Sequence, residues 1–191
     1  MMDAEGSDQV RRGMDRRTLM AAGGAAAIAA AGATVIGASP AGAAPLVPVL
    51  VPIDPVRVYD SRSPGALGAI SAGQTDLLTG SAATSDLAYL LNVTVVNTTS
   101  FGWVSVFSAD VASTDTSTVN WFGPNQTMVN TAYTWIRESD SGIRVSCGGG
   151  GQTQYVLDLT GVLMVVDVGA PTSLAASVAD ARSRVHTATR V

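Results

Sequence analysis

From about residue 44 onward the sequence predicts an all-β fold, a single antiparallel β-sandwich or jelly roll behind an N-terminal signal helix, with a closed barrel as the other architecture. Three observations predict it. Val, Thr, Ser, Gly and aromatic residues dominate Val49 to Val168, and β-branched and aromatic side chains fit a pleated, half-buried surface. In the clearest runs apolar and polar residues alternate with period two, which gives a strand one apolar face. These short runs recur with turn residues between them, the spacing of a sandwich rather than of βαβ units.

The chain starts differently. A polar stretch carries Arg11, Arg12, Arg16 and Arg17, and an uncharged run of mostly alanine and glycine follows from Thr18 to Pro45. A positive segment, an apolar segment and small residues before a cut are the layout of an export signal. Asp15-Arg16-Arg17-Thr18-Leu19-Met20 resembles the twin-arginine motif, with Arg16, Arg17 and Leu19 as its signal residues. The alanine-based apolar run, weaker than a leucine-based one, agrees. Ala41 and Ala43 put small residues at the −3 and −1 positions of a cut before Ala44; a cut one residue later is blocked by Pro45. The run is long enough for an uncleaved anchor, which needs about 20 apolar residues, but alanine and glycine drive insertion weakly. The resemblance implies the twin-arginine translocase and signal peptidase as partners during export, a chain that folds before crossing, and an extracytoplasmic destination, secreted or wall-associated. The lack of lysine beside abundant alanine and valine suggests a GC-rich genome such as an actinobacterium's.

The strands follow in order. Val56 to Tyr59 is the first, ended by Ser63-Pro64-Gly65; Thr75 to Thr79 is the second. Leu87 to Val96 is the strongest, with Tyr89, Leu91, Val93 and Val95 on one face and Asn92 and Thr94 on the other. Asn97 to Ser100 turns the chain into Phe101 to Ser108, where Phe101, Trp103, Ser105 and Phe107 alternate with Val104 and Val106. Thr118 to Phe122, Met128 to Arg137, Gly142 to Ser146 and Gln154 to Val166 complete the set, with turns at Gly123-Pro124-Asn125 and Ser139-Asp140-Ser141-Gly142. Gly148 to Gly151 predicts a flexible loop. Ala170 to Val191 is rich in alanine and arginine and holds the only histidine, His186; it predicts a loose tail or a short helix. The domains are thus a signal peptide over 1–43, a β-sandwich over 44–169 and a tail over 170–191.

Composition bounds the function. The net charge is −4, and the arginines form no basic patch, which argues against nucleic acid as a partner. The single cysteine, Cys147, cannot make an internal disulfide and is expected to be a small buried residue. Asp110, Asp115, Glu138 and Asp140 sit in loops without the alternating-acid spacing of a calcium loop, so neither a metal nor a cofactor is expected. A serine triad or a Cys–His pair would need His186, which lies in the tail. No enzyme is expected.

Several segments together resemble a β-domain of secreted actinobacterial proteins. Pro55-Val56-Arg57-Val58-Tyr59-Asp60-Ser61-Arg62 is similar to its Pro-x-Arg-x-x-Asp-Thr-Arg opening. Leu67-Gly68 with Ala72-Gly73-Gln74, Leu91-Asn92-Val93-Thr94-Val95, Gly102-Trp103-Val104-Ser105-Val106-Phe107, Ser117-Thr118-Val119-Asn120 with Thr127-Met128-Val129-Asn130, and Val156-Leu157-Asp158-Leu159-Thr160-Gly161 follow in its order. The departures are Ser61 for threonine, Val162-Leu163 for an aromatic ending, and the lack of the second cysteine that the family often carries. The resemblance implies fold and location; the family has no established activity.

Arg57, Asp60 and Arg62 form the densest charged cluster and are the first binding candidates, with arginine forks suited to a sugar or an anionic glycan. The competing expectation is structural: an Arg–Asp pair that locks the first strand to the sheet, with Asp158 as partner. Aromatics at alternating strand positions are more often core, and among Trp103, Trp121, Trp135, Tyr89, Tyr133 and Tyr155 the best candidate for an exposed platform under a sugar ring is Trp121, between Asn120 and the Gly123-Pro124 turn. The expected function is an exported, non-catalytic surface or cell-wall binding module for carbohydrate, its partner a cell-wall glycan. The alternatives are a structural protein that assembles as a homo-oligomer, because Leu87 to Val96 carries apolar residues on both faces, and a secreted hydrolase.

Overall fold

A computed structural model describes residues 46–80, 86–167 and 186–191. The export-signal residues Arg16, Arg17, Leu19, Ala41 and Ala43, and tail residues 170–185, lie outside the described residues.

Ten strands are described: β1 (Leu46–Asp60), β2 (Ile70–Ser71), β3 (Thr75–Gly80), β4 (Asp86–Val96), β5 (Gly102–Ser108), β6 (Val119–Trp121), β7 (Met128–Trp135), β8 (Ile143–Gly149), β9 (Gln152–Asp167) and β10 (His186–Arg190). They form two antiparallel sheets packed face to face as a β-sandwich. The first runs β1-β9-β4-β7, with β2 attached to β9; the second runs β10-β3-β8-β5-β6. Period-two patterning decides what fills the space between them. Tyr89, Leu91, Val93 and Val95 of β4, and Tyr155, Leu157 and Leu159 of β9, meet Val104, Ile143, Val145 and Leu78 of the second sheet, all of them fully buried.

Four features depart from the sequence expectation. Strand β1 starts ten residues early, at Leu46, through Pro48 and Pro52. Proline has no N–H to give a ladder, but among the described residues β1 is an edge strand paired with β9 alone, and an edge tolerates it. Gly148 to Gly151 is no flexible loop. Gly148 and Gly149 end β8, and the chain crosses at once to β9 in the other sheet. Gly150 N donates to Phe101 O at 3.1 Å, and Ala72 N donates to Gly151 O at 2.9 Å. The two-residue strand β2 is an addition.

The fourth departure is the tail, whose last residues are strand β10 rather than loose chain or helix. It pairs with β3 from His186↔Gly80 to Arg190↔Asp76. The cause is Asp76, a carboxylate with no exposed surface. A buried charge needs partners. Arg190 supplies them, with Nε at 2.7 Å and Nη2 at 3.2 Å. Tyr155 Oη, from the opposite sheet, donates at 2.8 Å. Burial beside this carboxylate pushes the Tyr155 hydroxyl far up from the usual phenol value, so it stays a donor. One carboxylate therefore ties the terminal strand and both sheets together.

Candidate functional site

At the end of β1 the chain reverses through Ser63 to Ala66, and this reversal gathers the charged candidates. Asp60 takes the centre. Arg62 Nε donates to its Oδ1 at 2.8 Å and Arg62 Nη2 to its Oδ2 at 2.7 Å, a two-bond fork; the Arg62 backbone N–H adds a third bond at 3.0 Å. Arg57 Nη1 reaches Asp60 Oδ2 at 3.4 Å. The Arg62 fork holds the Asp60 carboxyl down at about 2. Between them Ser61 is buried. Its hydroxyl donates to Gln154 and accepts the Tyr155 N–H at 2.9 Å, so the serine that stands in the threonine position fills a structural role.

Arg57 also makes the expected structural pair. It lies opposite Asp158 in the β1–β9 register, and its Nε donates to Asp158 Oδ1 at 3.0 Å. Asp158 lies opposite Asn92 of β4, and Asn92 opposite Thr131 of β7, whose hydroxyl donates to Asn92 Oδ1 at 3.2 Å. A polar row therefore crosses the outer face of the first sheet. Arg57 and Arg62 keep about half of their side chains exposed, whereas Asp60 is mostly covered.

Beside this cluster lies an open groove of about 450 Å³ lined by Arg57, Tyr59, Asp60, the Ser63–Ala66 reversal and, from β10, Thr187 and Ala188. The β10 wall was invisible to sequence reasoning, because it depends on a pairing between residues more than a hundred positions apart. The groove's lining carries one guanidinium, Arg57, and one carboxylate, Asp60, and each is already paired outside the lining, Arg57 with Asp158 and Asp60 with Arg62. An anion would have to displace a carboxylate to reach either fork. A neutral polyhydroxylated ligand could use the remaining N–H groups and carboxylate lone pairs as they stand.

Trp121 does not belong to the site. It is 1 % exposed, between the sheets. The reason lies across the ladder: Trp121 pairs with Gly102 of β5, and the indole fills the space a side chain would take there. Its Nε1 donates to Thr99 O at 3.4 Å. Trp103 is the tryptophan that is exposed, at 40 %. It lies on β5 of the second sheet and does not line the groove beside Arg57. Asp140 is committed to the Arg137 fork at 2.8 and 2.6 Å, and among the described residues no three His, Cys, Asp or Glu side chains gather as a metal site. Cys147 is buried as expected. Burial, with Asp76 nearby, pushes its thiol up to about 11, which keeps it protonated and non-nucleophilic at neutral pH.

No family model, curated protein or solved structure matches the chain. The resemblance to the secreted actinobacterial β-domain rests on the quoted motifs alone.

Proposed function

We propose that this protein is an exported, non-catalytic binding module of the cell surface or wall, and that its ligand is a neutral carbohydrate held in the groove beside β1. The observation that carries the reading is that the two charged residues of the groove wall, Arg57 and Asp60, are held in a charge-balanced cluster by Asp158 and Arg62 behind them. Hydrogen-bonding groups that are already fixed lose little freedom when a ligand arrives, and this favours a ligand that offers many hydroxyls over one that offers one strong charge. The twin-arginine-like signal supports an extracytoplasmic setting, where such polymers are the abundant surface.

The test is retention of the purified protein on isolated cell walls, together with a glycan array. Arg62→Ala is the informative variant, since among the described residues Arg62 bonds to Asp60 alone and its loss leaves the β1–β9 lock intact. Retention that falls several-fold in Arg62→Ala supports the reading. No binding to either surface by the unaltered protein overturns it.

A further inference from the structure

On the outer face of the second sheet, three aromatic side chains stand in solvent where no packing requires them: Phe101 is 57 % exposed, Trp103 40 % and Phe122 81 %. The register brings them together. Gly102 of β5 pairs with Trp121 of β6, and immediately past that pair each strand carries a phenylalanine, Phe101 on one and Phe122 on the other. Phe101 immediately precedes β5 and Trp103 is its second residue, and both are exposed on either side of the buried Gly102.

The rings lie on glycine. Trp103 pairs with Gly148 of β8. A Cβ built on Gly148 would fall among the indole atoms, overlapping Cζ2 and Cε2 and 2.8 Å from Nε1. The indole therefore lies across the strand with one face down on Gly148 and the other turned to solvent. Phe101 rests similarly over Gly150, where a Cβ would meet Cε1 at 3.4 Å and Cζ at 3.6 Å.

The ground beneath them is fixed. Thr98, buried, donates to Gly123 O at 2.8 Å and accepts the Gln126 N–H at 2.8 Å, which ties the 97–101 turn to the 122–126 turn. Thr99 and Gln152 exchange bonds at 2.9 and 3.0 Å, which ties the same turn to the β8–β9 crossing. Gln126 Oε1 accepts the Phe122 N–H at 2.9 Å. Three segments are thus stapled from below into one rigid floor, and none of residues 97–103, 120–126 and 148–152 is charged.

We infer that Phe101, Trp103 and Phe122 form a second binding surface, a stacking platform for the pyranose rings of a neutral polysaccharide. A pyranose turns a flat face of C–H groups to its partner. Rigid aromatic rings with one open face match that shape at low entropic cost. A strip without charge selects a neutral chain, and the amides of Asn120 and Asn125 and the hydroxyl of Ser100 stand in the same segments to take ring hydroxyls. The inference rests on the carbohydrate class proposed above but not on the groove.

The experiment titrates the full chain with N-acetylchitohexaose and, separately, cellohexaose, and follows tryptophan emission. Trp103 is the most exposed of the three tryptophans, so contact reads out directly. The expected result is a saturable blue shift with at least one of the two sugars, weakened more than tenfold in Trp103→Ala and in Phe122→Ala. Phe122 is almost wholly solvated, so its replacement leaves the fold intact and keeps the test decisive if Trp103→Ala unfolds. Gly148→Ala, which lifts the indole off its seat but retains it, is expected to weaken binding as well. A response that survives Trp103→Ala and Phe122→Ala but is lost in Arg62→Ala overturns the platform and leaves the groove standing. No response to either sugar, or a concentration-dependent dimer that Phe122→Ala dissolves, overturns it in favour of a self-contact.

Discussion

The indole of Trp103 lies over Gly148 on the outside of the second sheet, and one residue earlier Gly102 makes room for Trp121 on the inside. Adjacent positions of one strand thus take part in two tryptophan–glycine contacts on opposite faces, one dry and one wet.

That contrast predicts different costs for the same mutation. In Gly102→Ala the new methyl would stand 2.8 Å from both Gly148 O and Trp121 Cε2, and the buried indole has nowhere to retreat. A loss of roughly 1–3 kcal/mol is expected. In Gly148→Ala the indole of Trp103 swings into solvent, and the cost is smaller. Urea unfolding of both variants checks the order.

Arg190 should matter out of proportion to its place at the end of the chain. Arg190→Ala leaves the buried Asp76 carboxylate, among the described residues, with the Tyr155 hydroxyl alone. A loss of about 3 kcal/mol is expected, near the low end for breaking a buried pair because Arg190 is partly solvated. Asp76→Asn combined with Arg190→Ala should recover part of it, and a double-mutant cycle in denaturant measures the coupling.

Acid sensitivity follows from Asp60. Its carboxyl titrates at about 2 when folded, against an ordinary value near 3.8. The unfolded chain therefore takes up this proton first as pH falls. The contribution is full above pH 4 and is lost as pH drops toward 2. Asp60→Asn should flatten that part of the stability profile, measured by circular dichroism between pH 2 and 5.

Cys147 should be inert in the folded protein. Its thiol is covered and pushed up to about 11. A disulfide reagent at pH 8 is expected to react at the rate of unfolding and to become fast in denaturant. Rapid labelling of the native protein would contradict the burial.

The two sheets were legible where period two is strong. In β4 the four inward residues Tyr89, Leu91, Val93 and Val95 match the alternation, because both sheet faces enforce it. Strand β10 was not legible. His186-Thr187-Ala188-Thr189-Arg190 carries no strong strand pattern, and it is a strand because β3 offers an edge and Asp76 a buried charge. Trp121 was misplaced for the same reason. Its polar and turn-forming neighbours suggested solvent, while the space that buries it belongs to Gly102, nineteen positions away in the chain. The Arg57–Asp158 pair was anticipated, since an aspartate inside an apolar run needs a partner. The groove was not, since one wall is β10.

We propose that this β-sandwich binds a carbohydrate polymer, and depletion of the purified protein from solution by insoluble cell-wall polysaccharide, at rising protein concentration, tests the binding itself. A saturable isotherm that soluble oligosaccharide from the same polymer reverses is expected. A protein that stays in solution at every concentration would contradict it.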